Sequence, residues 1–294
     1  MGWTRDAAIQ IISGGSAGLV EVSIMHPLDL VKTRFQIQRG PEDPNRYQGL
    51  ADCFKKIYRS EGIASFYKGI LPPILAETPK RATKFFTFEQ YKRAFTSESL
   101  SLPMTFSLAG LGSGLTEAVV ICPFEVIKVR LQAERNITLL QQRSTWQTAV
   151  LVYRGGGFGT EGFYRGLIPT LGRHGVWNMI YFGLYHSVIR KYPPPKESSL
   201  NFLYRFLVGL TAGTLASIAN IPFDVAKSRI QGPQPTPGLR KYHSCLQTML
   251  LVYREEGFLA LYKGLLPKIM RLGPGGAIML IVYEVVFDSL QTRF

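Results

Sequence analysis

Cysteine is scarce in this 294-residue chain, and the three residues, Cys53, Cys122 and Cys245, lie far apart. No CxxC pair occurs, so we expect neither a disulfide framework nor a cysteine-based metal site. The sequence also lacks a GxGxxG stretch, a GKS/T loop, an HExxH motif and a Ser/His/Asp signature. These absences argue against a nucleotide-binding or hydrolytic enzyme. We therefore expect a protein that is not an enzyme and that holds no metal and no cofactor.

Charged residues are also few, at 18% of the chain, against about 25% in a typical soluble domain. This deficit favours a membrane protein, although no window of about 20 residues is free of polar groups, which excludes a single-span anchor. The net charge of +14 suits an anionic partner. The basic residues form no dense run, so nucleic acid is not an expected partner.

A ten-residue motif occurs three times in the chain. PLDLVKTRFQ begins at Pro27, PFEVIKVRLQ at Pro123 and PFDVAKSRIQ at Pro222, and a GxxxG pair precedes each proline. The segments EGIASFYKG, GGGFGTEGFYRG and EGFLALYKG follow at similar distances. Three tandem units of about 97 residues therefore account for nearly the whole chain. We place the repeats at 6–96, 103–192 and 200–292.

Each unit reads as two long apolar helices joined by a polar loop and a short amphipathic helix. The short helices are predicted at LADCFKKIYRSEG, TWQTAVLVYRGGG and CLQTMLLVYREEG. Each long helix exceeds 20 residues, which is enough to cross a bilayer core of about 30 Å. A soluble helical solenoid is the alternative, but repeats of this length and charged residues beside prolines in apolar runs disfavour it.

The repeated PxDxxKxR or PxExxKxR motif, with its aromatic-basic-Gly triplet, resembles the mitochondrial carrier family. This resemblance implies an all-α membrane protein of the mitochondrial inner membrane, with six transmembrane helices in a threefold pseudosymmetric barrel. The three short helices would lie in the matrix. It also implies a functional monomer that exchanges substrates by alternating access. One departure is that Gly156 stands where the other two units have an acid before the glycine.

The substrate site is expected where equivalent positions of the three units differ. The residues that lie 7, 8, 11 and 15 positions after the glycine of each aromatic-basic-Gly triplet share one helical face. The candidate residues on that face are Ala76, Glu77, Lys80, Lys84, Arg173, His174 and Arg271. In the family, the places at steps 7 and 8 are substrate contact points.

The cations in this set predict a site for a dianion. An arginine guanidinium binds a carboxylate through two hydrogen bonds, and Arg173 and Arg271 come from different units. His174 would donate to a 2-oxo group or a carboxylate. The resemblance implies small dicarboxylate substrates, namely 2-oxoadipate, 2-oxoglutarate and related C5–C7 compounds. Pairing of these cations with Glu21, Glu117 or Glu77 is an open alternative that would not exclude substrate binding.

The proline motifs predict a gate on the matrix side. Each acid is expected to reach the lysine of the next unit, and glutamines four residues past the lysines are expected to brace these pairs. The predicted pairs are Asp29–Lys128, Glu125–Lys227 and Asp224–Lys32, with Gln36, Gln132 and Gln231 as braces.

The opposite ends of the long helices carry an incomplete motif for a second gate. Glu89, Lys92 and Glu284 are its candidates, and we expect one cross-helix pair between Lys92 and Glu284. The glycines at the helix starts, Gly69, Gly166 and Gly264, are candidate sites for cardiolipin headgroups, with cardiolipin as a structural lipid.

Three rival functions remain open at this point. A soluble enzyme would dissolve without detergent. An uncoupler on the same fold would leak protons in substrate-free vesicles. It would have no substrate for the two arginines and His174 to bind. A carrier for citrate or an acidic amino acid would differ only in its substrate preference.

Overall fold

A computed structural model describes residues 2–39, 46–96, 100–195, 197–235 and 239–293. These ranges contain nine α-helices and two short 3₁₀ helices, at Ile63–Tyr67 and Phe258–Tyr262. The α-helices are α1 (Gly2–Ile37), α2 (Leu50–Glu61), α3 (Leu71–Phe95), α4 (Leu102–Ala133), α5 (Thr145–Gly156), α6 (Leu167–Lys191), α7 (Ser198–Gln231), α8 (Cys245–Glu256) and α9 (Leu265–Arg293).

The three short helices α2, α5 and α8 form at the predicted segments. Ser144 and Ser244 close capping boxes at the starts of α5 and α8, where each accepts a hydrogen bond from the backbone of the third helical residue. A glycine with positive φ ends each helix: Gly62 at 83°, Gly157 at 56° and Gly257 at 85°. The glycine therefore serves as the helix terminator, because other residues adopt this conformation only at a cost.

The six long helices contain 25 to 36 residues each, or about 38–54 Å at 1.5 Å per residue. Three stretches are apolar enough as well as long enough to cross a membrane: Leu102–Ala133, Leu200–Gln231 and Phe258–Gln291. The motif prolines Pro27, Pro123 and Pro222 lie inside α1, α4 and α7. Each removes one backbone hydrogen bond, which bends the helix just before its ion-pairing residues.

The long helices contact one another in a closed order. α1 packs against α3 and α9, α4 packs against α3 and α6, and α7 packs against α6 and α9. Within a repeat, α4 and α6 approach each other most closely. A Cβ at Gly110 or Gly114 would lie only 2.8 or 2.6 Å from backbone oxygens of α6. At the equivalent Gly213 the nearest atom is 3.8 Å away. The GxxxG prediction of close approach thus holds for the second repeat and fails for the third.

The distribution of side chains is reversed relative to that of a soluble protein. Large apolar residues are exposed on the outer faces of the long helices, including Ile24, Phe85, Phe86, Leu207, Leu215, Ile281 and Val285. Acidic and basic groups are buried inside, and Glu21, Asp29, Glu117, Asp224 and Lys227 are each at most 9% exposed. Exposed apolar surface of this extent indicates contact with lipid. The three cysteines are unpaired and buried, as the sequence indicates.

Candidate functional site

Three ion pairs join α1, α4 and α7 just beyond their prolines. They are Asp29–Lys128 at 2.8 Å, Glu125–Lys227 at 2.9 Å and Asp224–Lys32 at 3.0 Å. All three predicted pairs are confirmed as contacts. We call these six residues the ionic ring. Because each pair connects two different repeats, the ring ties the three repeats together at one level.

The glutamines do not brace the ring in the predicted way. The Gln132 side chain accepts a hydrogen bond from Thr33 at 2.7 Å, and Gln36 accepts one from Ser228 at 2.8 Å. The third, Gln231, donates to the Arg165 backbone oxygen at 3.1 Å. Lying one helical turn past the lysines, the glutamines reach the neighbouring helix or loop rather than the ion pairs. They connect adjacent repeats below the ring.

A cavity lies against the ring, and most of the predicted substrate residues line it. They are Ala76, Glu77, Lys80, Arg173, His174 and Arg271. Lys84 is the exception, because its ammonium group lies over the rings of Trp177 and Phe182, at 5.3 and 5.6 Å from their centres. It is one helical turn beyond Lys80, where aromatic side chains of α6 cover it. The sequence placed six of the seven candidates at this cavity.

The two cavity arginines both contact acids of the ring. Arg173 binds the Glu125 carboxylate and places its Nε 3.4 Å from Asp224. Arg271 donates to Asp29 at 2.7 Å and to Glu21 at 2.6 Å. The guanidinium groups therefore connect the cavity wall to the ring. Anything that binds these arginines competes with the ring acids.

Two other cavity residues pair as the open alternative anticipated. His174 Nδ1 lies 3.3 Å from Glu117, and Lys80 lies 3.2 Å from Glu77. Arg81 also donates to Glu77, at 2.5 Å. Glu77 is thus shared by two cations of its own helix. It acts as an anchor for them rather than as an isolated acid in the cavity.

Lys268 is a ring contact that the motif search missed. Its ammonium group lies 2.8 Å from Asp224 and also donates to the Asn220 side chain. The signal is present in the sequence, because Pro73, Thr170 and Lys268 lie four residues past the three triplet glycines. The third repeat alone carries a cation there, which adds to the charge asymmetry of the cavity.

The predicted pair between Lys92 and Glu284 is not formed in this structure. Lys92 instead binds Glu89 on its own helix at 2.6 Å, with both side chains partly exposed. An i,i+3 pair needs no approach of the two helices, whereas a pair with Glu284 requires α3 and α9 to close at this end. The ionic ring is closed, while at this second end Lys92 is paired within its own helix.

A second set of buried ion pairs anchors the short helices. In the first repeat, Glu61 binds Arg34 and Lys68, each at 2.5 Å, and all three side chains are at most 1% exposed. In the third repeat, Glu256 binds Arg229 at 2.7 Å and Lys263 at 2.5 Å. Each acid is the last residue of its short helix. We call these two sets the anchor networks.

The anchor acids predict how stability depends on pH. Burial raises the pKa of the Glu61 carboxyl, but hydrogen bonds from Arg34 and the charge beside it outweigh burial and lower the pKa below its usual 4.5. A lowered folded-state pKa stabilises the fold above the unfolded value, and this contribution is lost as pH falls through the folded value. We expect the melting temperature to fall steeply below about pH 4.5 in the wild type.

Glu61→Gln is expected to lower the melting temperature at pH 7 and to flatten that fall, since the variant has no proton to take up at this position. A broken buried pair costs about 3–5 kcal/mol. Glu255→Gln is the control, because Glu255 is 43% exposed in its pair with Lys241. Equal pH profiles for the wild type and Glu61→Gln would contradict the assignment.

The three triplet glycines have a structural reason to be glycine. Gly69, Gly166 and Gly264 have φ values of 67°, 72° and 82°, and each precedes a long helix. A Cβ at these positions would lie 3.0–3.1 Å from the nearest side-chain atom of the following repeat's first long helix. Backbone conformation and close packing therefore select glycine here. The role of these sites in lipid binding stays a prediction.

The comparison with known proteins agrees with the repeat pattern. The model of the family described as mitochondrial carrier protein matches residues 4–99, 102–195 and 198–294. The chain belongs to the mitochondrial carrier family. A carrier protein moves solutes across a membrane, so membership assigns the chain to the transporters rather than the enzymes.

Three similar members of the mitochondrial carrier family carry the same kind of name. The chain is 62% identical to the mitochondrial 2-oxodicarboxylate carrier of Pongo abelii over 294 residues, covering 100% of the chain and 98% of that protein. It is 62% identical to the Homo sapiens carrier of this name over 290 residues, covering 99% and 97%. It is 40% identical to mitochondrial 2-oxodicarboxylate carrier 2 of Saccharomyces cerevisiae over 298 residues, covering 96% and 94%.

Proposed function

We propose that this carrier exchanges 2-oxodicarboxylates, such as 2-oxoglutarate and 2-oxoadipate, across the mitochondrial inner membrane. The names of its relatives and the cavity chemistry both support this proposal. The six long helices would cross the membrane as a barrel, with α2, α5 and α8 on the matrix side. One chain would form the whole pathway, since all three repeats line the same cavity.

The net charge of the side chains in and around the ionic ring is the main support for this proposal. Six cationic side chains contact the ring acids: Lys32, Lys128, Lys227, Lys268, Arg173 and Arg271. Four carboxylates face them: Asp29, Asp224, Glu21 and Glu125. Six positive and four negative charges leave a net charge of +2. A dianion balances this charge, and two arginines from different repeats supply two separate carboxylate receptors.

Substrate binding and opening of the ring would be coupled through the arginines. A dicarboxylate that binds Arg173 and Arg271 takes them from Glu125, Asp224 and Asp29, so the ring acids lose one of their partners. The ring then weakens on the side where it blocks the path. A ligand shifts a conformational equilibrium by its difference in affinity for the two states. Here the difference in affinity comes from the ion pairs between the two arginines and the ring acids, which substrate binding breaks.

The opposite gate completes the cycle in this proposal. Closing that end would break the Lys92–Glu89 pair and form a pair between Lys92 and Glu284 on α9. One pair is a weak lock compared with the three pairs of the ring, so the empty carrier rests with the ring closed. Cardiolipin headgroups at Gly69, Gly166 and Gly264 would support the short helices, because the helix starts offer unpaired backbone N–H groups.

Two related functions differ in measurable ways. A carrier for citrate or an acidic amino acid would place a third carboxylate or an ammonium group beside the same arginines. An uncoupling protein would carry protons without substrate, which leaves Arg173 and Arg271 unexplained. The named relatives favour the 2-oxodicarboxylates.

Reconstituted vesicles test the proposal. We expect uptake of labelled 2-oxoglutarate only when unlabelled 2-oxoglutarate or 2-oxoadipate is inside, because the empty carrier must break the ring without compensation. The controls are vesicles without internal substrate and vesicles loaded with an acidic amino acid. Rapid uptake into empty vesicles would exclude strict exchange, and exchange driven only by the amino acid would reassign the substrate.

A further inference from the structure

The second repeat has only part of the anchor network that the first and third repeats form. In place of Glu61 and Glu256, the second repeat has Gly156 as the last residue of its short helix. The two cations are still present as Arg130, in the motif of α4, and Arg165, in the aromatic-basic-Gly triplet. The second repeat thus retains both positive charges of the network and lacks its acid.

The hydrogen bonds of these arginines are correspondingly incomplete. Arg165 Nε donates to the Ile230 backbone oxygen at 2.7 Å, but its Nη2 is buried and has no partner among the described residues. Burial alone acts on the Arg130 guanidinium, with no hydrogen-bond or charge partner among the described residues. In the complete networks, a tyrosine hydroxyl also accepts from the arginine, as Tyr242 does from Arg229 at 3.0 Å. Gln142 occupies that tyrosine's place, two residues before the helix cap.

The protein cannot supply the missing acid at position 156. A Cβ there would lie 2.5 Å from the backbone of Glu161 and Gly162, because the loop before Arg165 is two residues longer and folds over the glycine. Glu161 itself binds Arg240. Glu134 is near, but its carboxylate forms no ion pair with either arginine in the described ranges, and its Oε2 has no hydrogen-bond partner there.

An open cavity is lined by both arginines of this incomplete network. Its lining includes Arg130, Arg165, Glu134, Gly232 and Gln234. Burial, together with the charges of Arg240 and Arg130, lowers the pKa of Arg165 to about 10. The two guanidinium groups form no ion pair among the described residues, which is costly without an anion, and nine of their ten N–H donors remain after the bond from Arg165 to Ile230.

We propose that this cavity, the second-repeat anion site, binds a phosphate group between Arg130 and Arg165, in the place of the anchor carboxylates of the other repeats. Phosphate is favoured over a carboxylate because its oxygens accept hydrogen bonds from both guanidinium forks at once. The group would come from free phosphate or from a lipid headgroup. The bound anion completes the third anchor network and so stabilises the closed ring of helices. The site is separate from the transport cavity, so its failure leaves the proposed exchange function untouched.

Thermal unfolding of the purified carrier in detergent tests this site. Inorganic phosphate is compared with chloride at equal ionic strength, and cardiolipin-containing micelles are compared with lipid-free ones. We expect phosphate to raise the melting temperature by about 4 °C at ten times its dissociation constant. Arg130→Gln and Arg165→Gln should each abolish this rise. They should also melt no lower than the wild type in chloride, since each removes an uncompensated charge.

Matched variants make the result decisive. Arg154→Gln, an exposed arginine on α5, and Glu134→Gln should both keep the phosphate response. A response to cardiolipin alone that both arginine variants lose would assign the group to a lipid headgroup. The proposal is overturned if neither phosphate nor cardiolipin shifts the wild type, if the phosphate shift survives in the arginine variants, or if Glu134→Gln abolishes it.

Discussion

Exchange of labelled 2-oxoglutarate is expected to fall at least about 30-fold when Arg173 is replaced by alanine, while the protein still folds. Truncating one partner of a buried hydrogen-bonded charge pair costs about 2–5 kcal/mol of binding. The fold is expected to survive because the acids that Arg173 contacts have other cations. Glu125 retains Lys227, and Asp224 retains Lys32 and Lys268. Vesicle exchange and the melting temperature of the same preparation measure the two effects separately.

The series around this variant distinguishes charge from geometry. Arg173→Lys keeps the charge but loses the planar fork, so we expect exchange between that of the wild type and that of the alanine variant. Arg190→Ala is the control, since Arg190 is an exposed arginine near the end of the same helix, α6. Full exchange in Arg173→Ala would remove this arginine from the substrate site.

Acids and bases of the ionic ring are expected to respond unequally to neutralisation. Asp224 contacts Lys32, Lys268 and Arg173, whereas Lys32 contacts Asp224 alone among the described residues. Asp224→Asn therefore leaves Lys32 and Lys268 without a carboxylate and Arg173 with Glu125 alone, and a broken buried pair costs about 3–5 kcal/mol. Lys32→Gln leaves Asp224 with two partners, and its cost should be near 1 kcal/mol because Lys32 is 18% exposed.

Melting temperatures of the two variants check this inequality. At about 2–4 °C per kcal/mol for a chain of this size, Asp224→Asn should melt on the order of 10 °C below the wild type and Lys32→Gln only a few degrees below it. Both are expected to slow exchange, because each weakens a gate that must close. Equal losses of melting temperature would contradict the picture of shared cations around each acid.

The repeat made most of the helical fold predictable. A motif that occurs three times fixes the register of every unit, so the short helices and the ring pairs follow from one local pattern. Pro27, Pro123 and Pro222 mark equivalent bends, and each acid then faces the next repeat. The three predicted pairs form because threefold equivalence leaves few other arrangements of these side chains.

Other contacts depend on features that a single motif does not contain. The partner of Lys92 depends on which end of the molecule is closed, and sequence does not encode a conformational state. The glutamines were assigned to the ring by their spacing, but their partners Thr33 and Ser228 lie on other repeats. Lys268 lies four residues past its triplet glycine, where the equivalent Pro73 and Thr170 are uncharged, so this asymmetry is present in the sequence. The tight α4–α6 contact also has no separate signal, since all three repeats carry GxxxG.

The central claim is that Arg173 and Arg271, beside an ionic ring whose charged contacts sum to +2, select a dianion. The most direct measurement is competition with labelled 2-oxoglutarate exchange in vesicles by two compounds of equal chain length, a 2-oxodicarboxylate and the corresponding 2-oxomonocarboxylate. We expect the dicarboxylate to inhibit strongly and the monocarboxylate to inhibit at least about 30-fold more weakly, because one arginine is left without its carboxylate. Equal inhibition by the two compounds would contradict the claim.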